Sequence, residues 1–560
     1  MKGTNSHVRL KRTTFSNCCL VVLAGASVTV HSSCFHTDQD IGIGLCAYVS
    51  GAGTSLTMQD CTIDSTCHGV HATEGATLHA DHLQCVGANW VALQANGHGT
   101  LLSVSNSTLR DTAATYSEEA ASGWRSLRPP SEKSTGIIAT HSCTLHVAGT
   151  KVSGFCLGCA ARGARVQLQQ TSLEWCLERG CHIDSCPAAQ IERCTFKNTQ
   201  NRSSLLVSWQ SACKAEGSTS VVACSFHDNL AYGISAESTH MHVSDCDFYR
   251  NRKDVGVVRG SGTFIHLRDC RSYGSSRWIH ATGAGTTLRV ERAVVAACKK
   301  GVALLDHAEL QLTDSSIALV DTVLAHISHS AKACLQNCHM VGTPTESMAI
   351  FVDQAACLRA VHCQFDKAVL CVHGSSSCAE LEGCSLTSAG TDDDMPVLQA
   401  ADRGRLALVR CIVRGCKTGV HVGDVGTALI AQDTLFTGMA DSGVSGWEGA
   451  RLELHDCVVQ DCACCAVGVC NAGTEVLMTG GLIENCGGCG IVCTDAVAEM
   501  SGLLVRNVQL AFVVDGSGCM YLSECSSEAC VPYSIAGAGR MFCCRCSPED
   551  KSIPCQPLPC

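Results

Sequence analysis

Aspartate recurs immediately before Cys, Ser or Thr along this chain, at Asp60, Asp245, Asp269, Asp314, Asp433 and Asp456. Carboxylates repeated in this way and brought side by side could hold a cation or work as an acid/base pair. The preferred reading of the same residues is solvated bend positions whose side chains cap backbone N–H groups. Cys-x-x-Cys pairs occur at Cys156/Cys159, Cys462/Cys465, Cys486/Cys489 and Cys543/Cys546. Two such pairs brought together could bind zinc, and the C-terminal group Cys543, Cys544, Cys546, Cys555 and Cys560 is the best placed to try. With 44 cysteines in 560 residues, packing alone accounts for such spacings. The sharpest charged patch is His242, Asp245, His266, Arg268, Asp269, Arg289, Glu291 and Arg292. A mixed-charge stripe of this kind suits a protein or glycan ligand, or is a plain exposed face. No His-Glu-x-x-His, phosphate loop, nucleophile elbow or kinase signature is present. No catalytic residue, metal or cofactor is therefore assigned.

The element that positions these residues is a repeat of about 22–24 residues. Its core reads Leu-x-Leu-x-Asp-Cys-x-Phe/Val/Ile, as in Leu56–Ile63, Met241–Phe248, Ile265–Cys270 and Leu452–Cys457. Alternation of apolar and polar residues signals strands, and Val, Ile, Leu and Thr enrichment agrees. Gly-Val or Gly-Ile opens a second strand, for example at Gly69, Gly256, Gly301 and Gly419. Asn or Asp follows the Cys position by four or five residues, at Asn17, Asn198, Asn229, Asn251, Asp461, Asn485 and Asn507. Such residues tolerate the left-handed backbone of a tight turn. One unit therefore reads strand, corner, strand, turn, and stacked units bury their apolar faces against their neighbours. About 23 rungs register, with a small inward residue that is Cys in about half of them, as at Cys61, Cys246 and Cys457, and mostly Ser, Thr, Ala or Gly elsewhere. At ~4.8 Å per rung the solenoid would be on the order of 110 Å long.

The unbroken repeat predicts one elongated domain over 1–546, with an inserted loop at about 112–136 and a Pro- and Cys-containing tail over 547–560. Smaller insertions are expected near 211–218 and 392–394. A net charge of −11 without a basic run argues against a nucleic-acid partner. No apolar stretch reaches the length of a membrane span. Residues 2–26 resemble a secretory signal, but their register also matches a first rung, and that reading is preferred. Cysteine at an anchor position interchangeable with Ser and Thr reads as a small buried residue, which favours reduced thiols and an intracellular, cytoplasmic protein. Secretion with a disulfide framework is the alternative.

The rung pattern resembles the right-handed parallel β-helix superfamily, the fold of pectin and pectate lyases, over about residues 8–546. Within it, the short Cys- and Asn-punctuated rungs are most similar to the carbohydrate-binding-and-sugar-hydrolase type repeats of β-helical F-box and related scaffold proteins. The resemblance implies an all-β, single-stranded right-handed solenoid; it does not imply an activity. It leaves a non-enzymatic scaffold with a protein partner, most of all along the 242–292 face, as the first expectation. A carbohydrate-binding or polysaccharide-cleaving protein of lyase or hydrolase type is the alternative, and a secreted disulfide-rich surface protein the second. For a lyase, Asp245 and Asp269 with Arg268 or Arg292 are the residues the resemblance points to. Hydrolase-like fragments at Gly97-His98-Gly99 and Asp392-Asp393-Asp394 lie too many rungs apart to share a site.

Overall fold

The computed structural model describes residues 6–37, 44–64, 68–88, 90–111, 134–209, 217–342, 348–387 and 396–548. Nearly all of the expected 112–136 loop, most of the 211–218 insertion, Asp392–Asp394, and the tail with Cys555 and Cys560 lie outside them. The described chain is all-β, with three parallel sheets that form a β-solenoid of about 21 turns. It divides into two compact units, one of residues 1–280 and 285–289, the other of 281–284 and 290–560.

Each unit repeats the same turn. In unit 1 the chain runs from His240–Ser244 in the first sheet to Asp247–Tyr249 in the second and Asp254–Arg259 in the third. The next turn then begins with Phe264–Arg268, paired in register on His240–Ser244. In unit 2 the equivalent run is Arg451–His455, Val458–Gln460 and Val467–Cys470, with Glu475–Thr479 opening the next turn. A turn thus holds three strands rather than the two read from sequence. The aspartate before the anchor divides what reads as one strand: Asp60, Asp245, Asp269, Asp314, Asp433 and Asp456 all hold left-handed φ values between 48 and 53°. The three residues after the anchor are thereby turned onto a separate sheet.

Alternation then fills the core. Met241, Val243, Cys246 and Phe248 are buried, while His240 and His242 between them face solvent. Phe196, Phe226 and Phe248 stack on successive turns with ring centroids 4.7 and 5.0 Å apart. Asn17, Asn198, Asp461, Asn485 and Asn507 take the left-handed turn expected of them, but Asn229 and Asn251 do not. The left-handed positions there are Asp228 and Arg250, and both asparagines are fully buried. Asn229 Nδ2 donates to Asn251 Oδ1 at 2.9 Å, while Asn229 Oδ1 accepts the Thr199 N–H at 2.9 Å. These side chains satisfy buried backbone groups, so the turn shifted by one residue to bring them inside.

Where the anchor is Ser, Thr or Cys, the column adds hydrogen bonds to small volume. Its hydroxyl or thiol donates to the carbonyl two residues earlier: Ser107 to Ser105 at 2.6 Å, Thr150 to Ala148 at 2.9 Å, Cys246 to Ser244 at 3.2 Å. The same atom accepts the buried anchor N–H of the preceding turn, as Ser107 Oγ does from Leu83 and Cys246 Sγ from Cys224. Cys, Ser and Thr interchange because each supplies a donor and an acceptor. Volume alone makes Ser and Ala equivalent replacements; the hydrogen bonds do not. Cys246→Ser should cost less than about 1 kcal/mol, and Cys246→Ala about 1–3 kcal/mol because the Cys224 N–H loses its acceptor. Equal denaturation midpoints for the two variants would show that volume decides.

Candidate functional site

The third sheet of unit 1 gathers polar groups that its strand alternation sends away from the core. On Arg179–Asp184 the pattern places Cys181 and Ile183 in the core, so His182 and Asp184 share the opposite face. Parallel register lines up Arg162, Asp184, Ser208 and Glu237 on four consecutive turns. Beside that row, Ala160, His182, Leu206 and Ser235 form a second.

Asp184 lies beneath its neighbours and is 3% exposed. Ser208 Oγ donates to its Oδ1 at 3.3 Å, Ser185 Oγ at 3.0 Å, and Arg162 Nε stands 3.4 Å from Oδ2. His182 Nε2 is 3.4 Å from Ser208 Oγ. Burial, and then the Arg179 cation, push the His182 imidazole down from 6.5 to about 4. It is therefore a neutral base at ordinary pH. Arg179 opens the same strand, half-buried, and its Nε is shielded from solvent with no hydrogen-bond partner among the described residues. Burial, and then the Arg202 cation, push its pKa below the usual arginine range, against the opposing Glu178 and Glu237 carboxylates. Arg202 is held one turn on, where its N–H donates to the Glu178 carbonyl at 3.1 Å. The Trp209 indole N–H, next to Ser208, is likewise buried and without a partner among the described residues.

The face thus carries three arginines, Arg162 on the buried Asp184, Arg202 with its Nε 3.9 Å from Glu178 Oε2, and Arg179 with its Nε unpartnered among the described residues, together with a neutral imidazole. The His182 shift gives a stability test. Between 6.5 and about 4 the unfolded chain accepts a proton that the folded imidazole refuses. Its contribution is thus harmless above that window and erodes stability as pH falls through it. His182→Gln should flatten that part of the pH–stability curve, measured as denaturation midpoints on either side of the window. An unchanged slope would show that His182 titrates normally.

None of these residues stood out in the sequence. The available signal was polar side chains two apart, His182 and Asp184, on a strand opened by Arg179-Gly180, with Arg162 and Ser208 about one period away.

The residues singled out from sequence are placed differently. His242 is exposed and lies in register with His266, with the rings 5.8 Å apart and edge-on. Arg268 is exposed, and its Nε sits 3.3 Å from Asp269 Oδ2. Asp245, Asp269 and Arg292 occupy left-handed bends at φ 53, 53 and 51°. Arg289 is exposed and Glu291 half-buried on Thr287–Glu291. His242, Asp245, His266, Arg268, Asp269 and Arg289 belong to unit 1, Glu291 and Arg292 to unit 2. Cys156 and Cys159 are both buried, whereas Cys465, Cys489, Cys543 and Cys546 are partly exposed. Among the described residues no group of three or more His, Cys, Asp or Glu is arranged to hold a metal.

No curated protein matches the chain. Among solved structures, the A-module of a mannuronan C-5 epimerase from Azotobacter vinelandii is similar at 9% identity over 60% of this chain and 91% of that one, with a TM-score of 0.27. A PL6-family alginate lyase is similar at 8% identity over 92% of this chain and 97% of that one, with a TM-score of 0.24. A second PL6 alginate lyase, in complex with a trisaccharide, is similar at 10% identity over 68% of this chain and 79% of that one, with a TM-score of 0.27. Likeness this distant transfers no residue role and no substrate. The family model described as a right handed beta helix region matches residues 135–295 and 348–509, and with three parallel sheets coiled turn upon turn the chain belongs to that family.

Proposed function

We propose that the protein binds a carboxylated polysaccharide across the third-sheet face of unit 1, with Arg162, Arg179 and Arg202 meeting the carboxylates. The observation that carries this reading is Arg179: a half-buried guanidinium with its Nε unpartnered among the described residues, its pKa lowered by burial and then by the Arg202 cation. A guanidinium so placed is relieved when a carboxylate arrives in bidentate geometry. Arg162 and Arg179 stand on adjacent turns at opposite ends of paired strands, so separated carboxylates of one chain can meet them. His182, neutral and beside these cations, is the group on this face equipped to take a proton next to a carboxylate, the first step of an eliminative chain cleavage. The scaffold reading rests on the 242–292 stripe, and no described feature of those residues favours it.

The test is retention of the full chain on an immobilised polyuronate, on the same polymer with its carboxyls reduced to alcohols, and on a neutral glucan. Salt-sensitive retention on the polyuronate alone is expected. Equal retention on the carboxyl-reduced polymer would sink the proposal. Ultraviolet absorbance from unsaturated chain ends, followed in the same samples, reads whether binding leads to cleavage.

A further inference from the structure

Away from that face, unit 2 carries two cysteines that meet across neighbouring turns at the surface. Cys357 opens the strand Cys357–Val361 and Cys378 opens Cys378–Glu382; the two are paired in register, and both side chains are partly exposed. By contrast, Cys159 with Cys181 and Cys224 with Cys246, also on neighbouring turns, are sealed in the core. Register pairing on adjacent parallel strands sets Cα atoms ~4.8 Å apart, inside the range of about 4.4–6.8 Å that a disulfide spans. The column continues with a cation on each side: Lys332 pairs with Cys357 and Arg405 with Cys378, and both are exposed. Cations at this distance favour a thiolate. Burial, and then a hydrogen bond with Cys357, push the Cys378 thiol up to about 12, so Cys378 is the partner that holds its proton.

We propose that Cys357 and Cys378 are a modification site, a surface dithiol that hydroperoxides convert reversibly into a disulfide between turns. The Cys357 thiolate attacks the distal peroxide oxygen, the O–O bond breaks, and the departing oxygen leaves as water or alcohol. The resulting sulfenic acid is attacked by the Cys378 sulfur, which gives up its proton as the S–S bond forms and the sulfenyl oxygen leaves as water. Two thiols lose two electrons and two protons to one hydroperoxide. An added dithiol reverses the reaction by exchange.

The experiment treats the full chain with limiting hydrogen peroxide, blocks remaining thiols, and maps linked peptides by fragmentation mass spectrometry. A Cys357–Cys378 link lighter by two hydrogens should dominate, disappear with dithiothreitol, and lose its preference when oxidation is done in denaturant. In Cys378→Ser, whose outward side chain leaves the core untouched, a sulfenic acid trap should label Cys357 several-fold more than exposed Cys334. Oxidation of Cys334 without a Cys357–Cys378 link, or equal labelling of Cys334 and Cys357 in the variant, would overturn the proposal.

Discussion

Arg179→Met should release the protein from a polyuronate while leaving it as stable as the parent or more so. Methionine keeps most of the apolar stem and removes the charge. Charged hydrogen bonds contribute about 1.5–3 kcal/mol each, so the dissociation constant should rise roughly tenfold to hundredfold. The stability change should run the other way. The guanidinium is half-buried, feels the Arg202 cation, and has an Nε without a partner among the described residues. Removing a charge held under those conditions relieves a desolvation cost. Arg193→Met, at an exposed arginine beside Glu192, is the control expected to change neither property. Binding by titration calorimetry and a thermal melt on the same samples decide the matter. A melting temperature that falls in step with affinity would make Arg179 a structural residue and leave the binding face unassigned.

Gly69→Ala should break the solenoid locally, whereas Gly256→Ala, in an identical Gly-Val dipeptide, should be tolerated. A Cβ on Gly69 would overlap the carbonyl oxygen of Ala92 on the next turn, and one on Gly301 would overlap that of Leu324. Both obstacles are backbone, so neither can swing aside. The cost should be on the order of 3 kcal/mol or more. It should be felt at one interface between turns, because each turn is stabilised by its immediate neighbours. Loss of amide protection confined to 68–96 is the expected reading by hydrogen exchange. At Gly256 a Cβ meets only a methylene of Ile279 at 3.8 Å, an ordinary contact. Replacement there removes backbone freedom from the unfolded chain and should be neutral or stabilising by up to about 1 kcal/mol. Equal destabilisation of the two variants would show that the dipeptide, rather than its register, sets the cost.

The reason for that difference lies in the pairing. Gly256 stands opposite Ile234, which stands opposite Leu205 and, one turn earlier, Cys181. It is thus one place out of step with Gly180, whose own Cβ would meet the Ser204 carbonyl at 2.7 Å. Gly69 and Gly256 read alike in the sequence as the opening of a strand. The left-handed turn shows the same limit. Asn198 takes it as expected, yet Asn229 and Asn251 are drawn inside and pass it to Asp228 and Arg250. Local propensity marks where a bend is needed but not which of two adjacent residues makes it when a buried hydrogen bond is at stake. The Asp-before-anchor positions read from sequence first as bends and second as a ligand row, and their φ values make them bends; that these bends split one strand into two was not legible.

By itself the sequence determined the architecture: the period, the alternation, the inward column of small residues and the parallel stacking all follow from which residues must be buried and how often they recur. Tertiary structure alone decided the site. Asp184 and Ser208 are 24 residues apart, and His182 and Ser208 are 26 apart. The spacing varies from turn to turn as corners lengthen or shorten, so no fixed interval in the sequence reveals who faces whom. Backbone pairing resolves that variation one strand at a time. Only after it has done so do Arg162, Asp184, Ser208 and Glu237 fall into a single row. The repeat is set by hydrophobic burial, which tolerates many residues at each position; the site is set by register, where a slip of one residue turns a side chain to the opposite face.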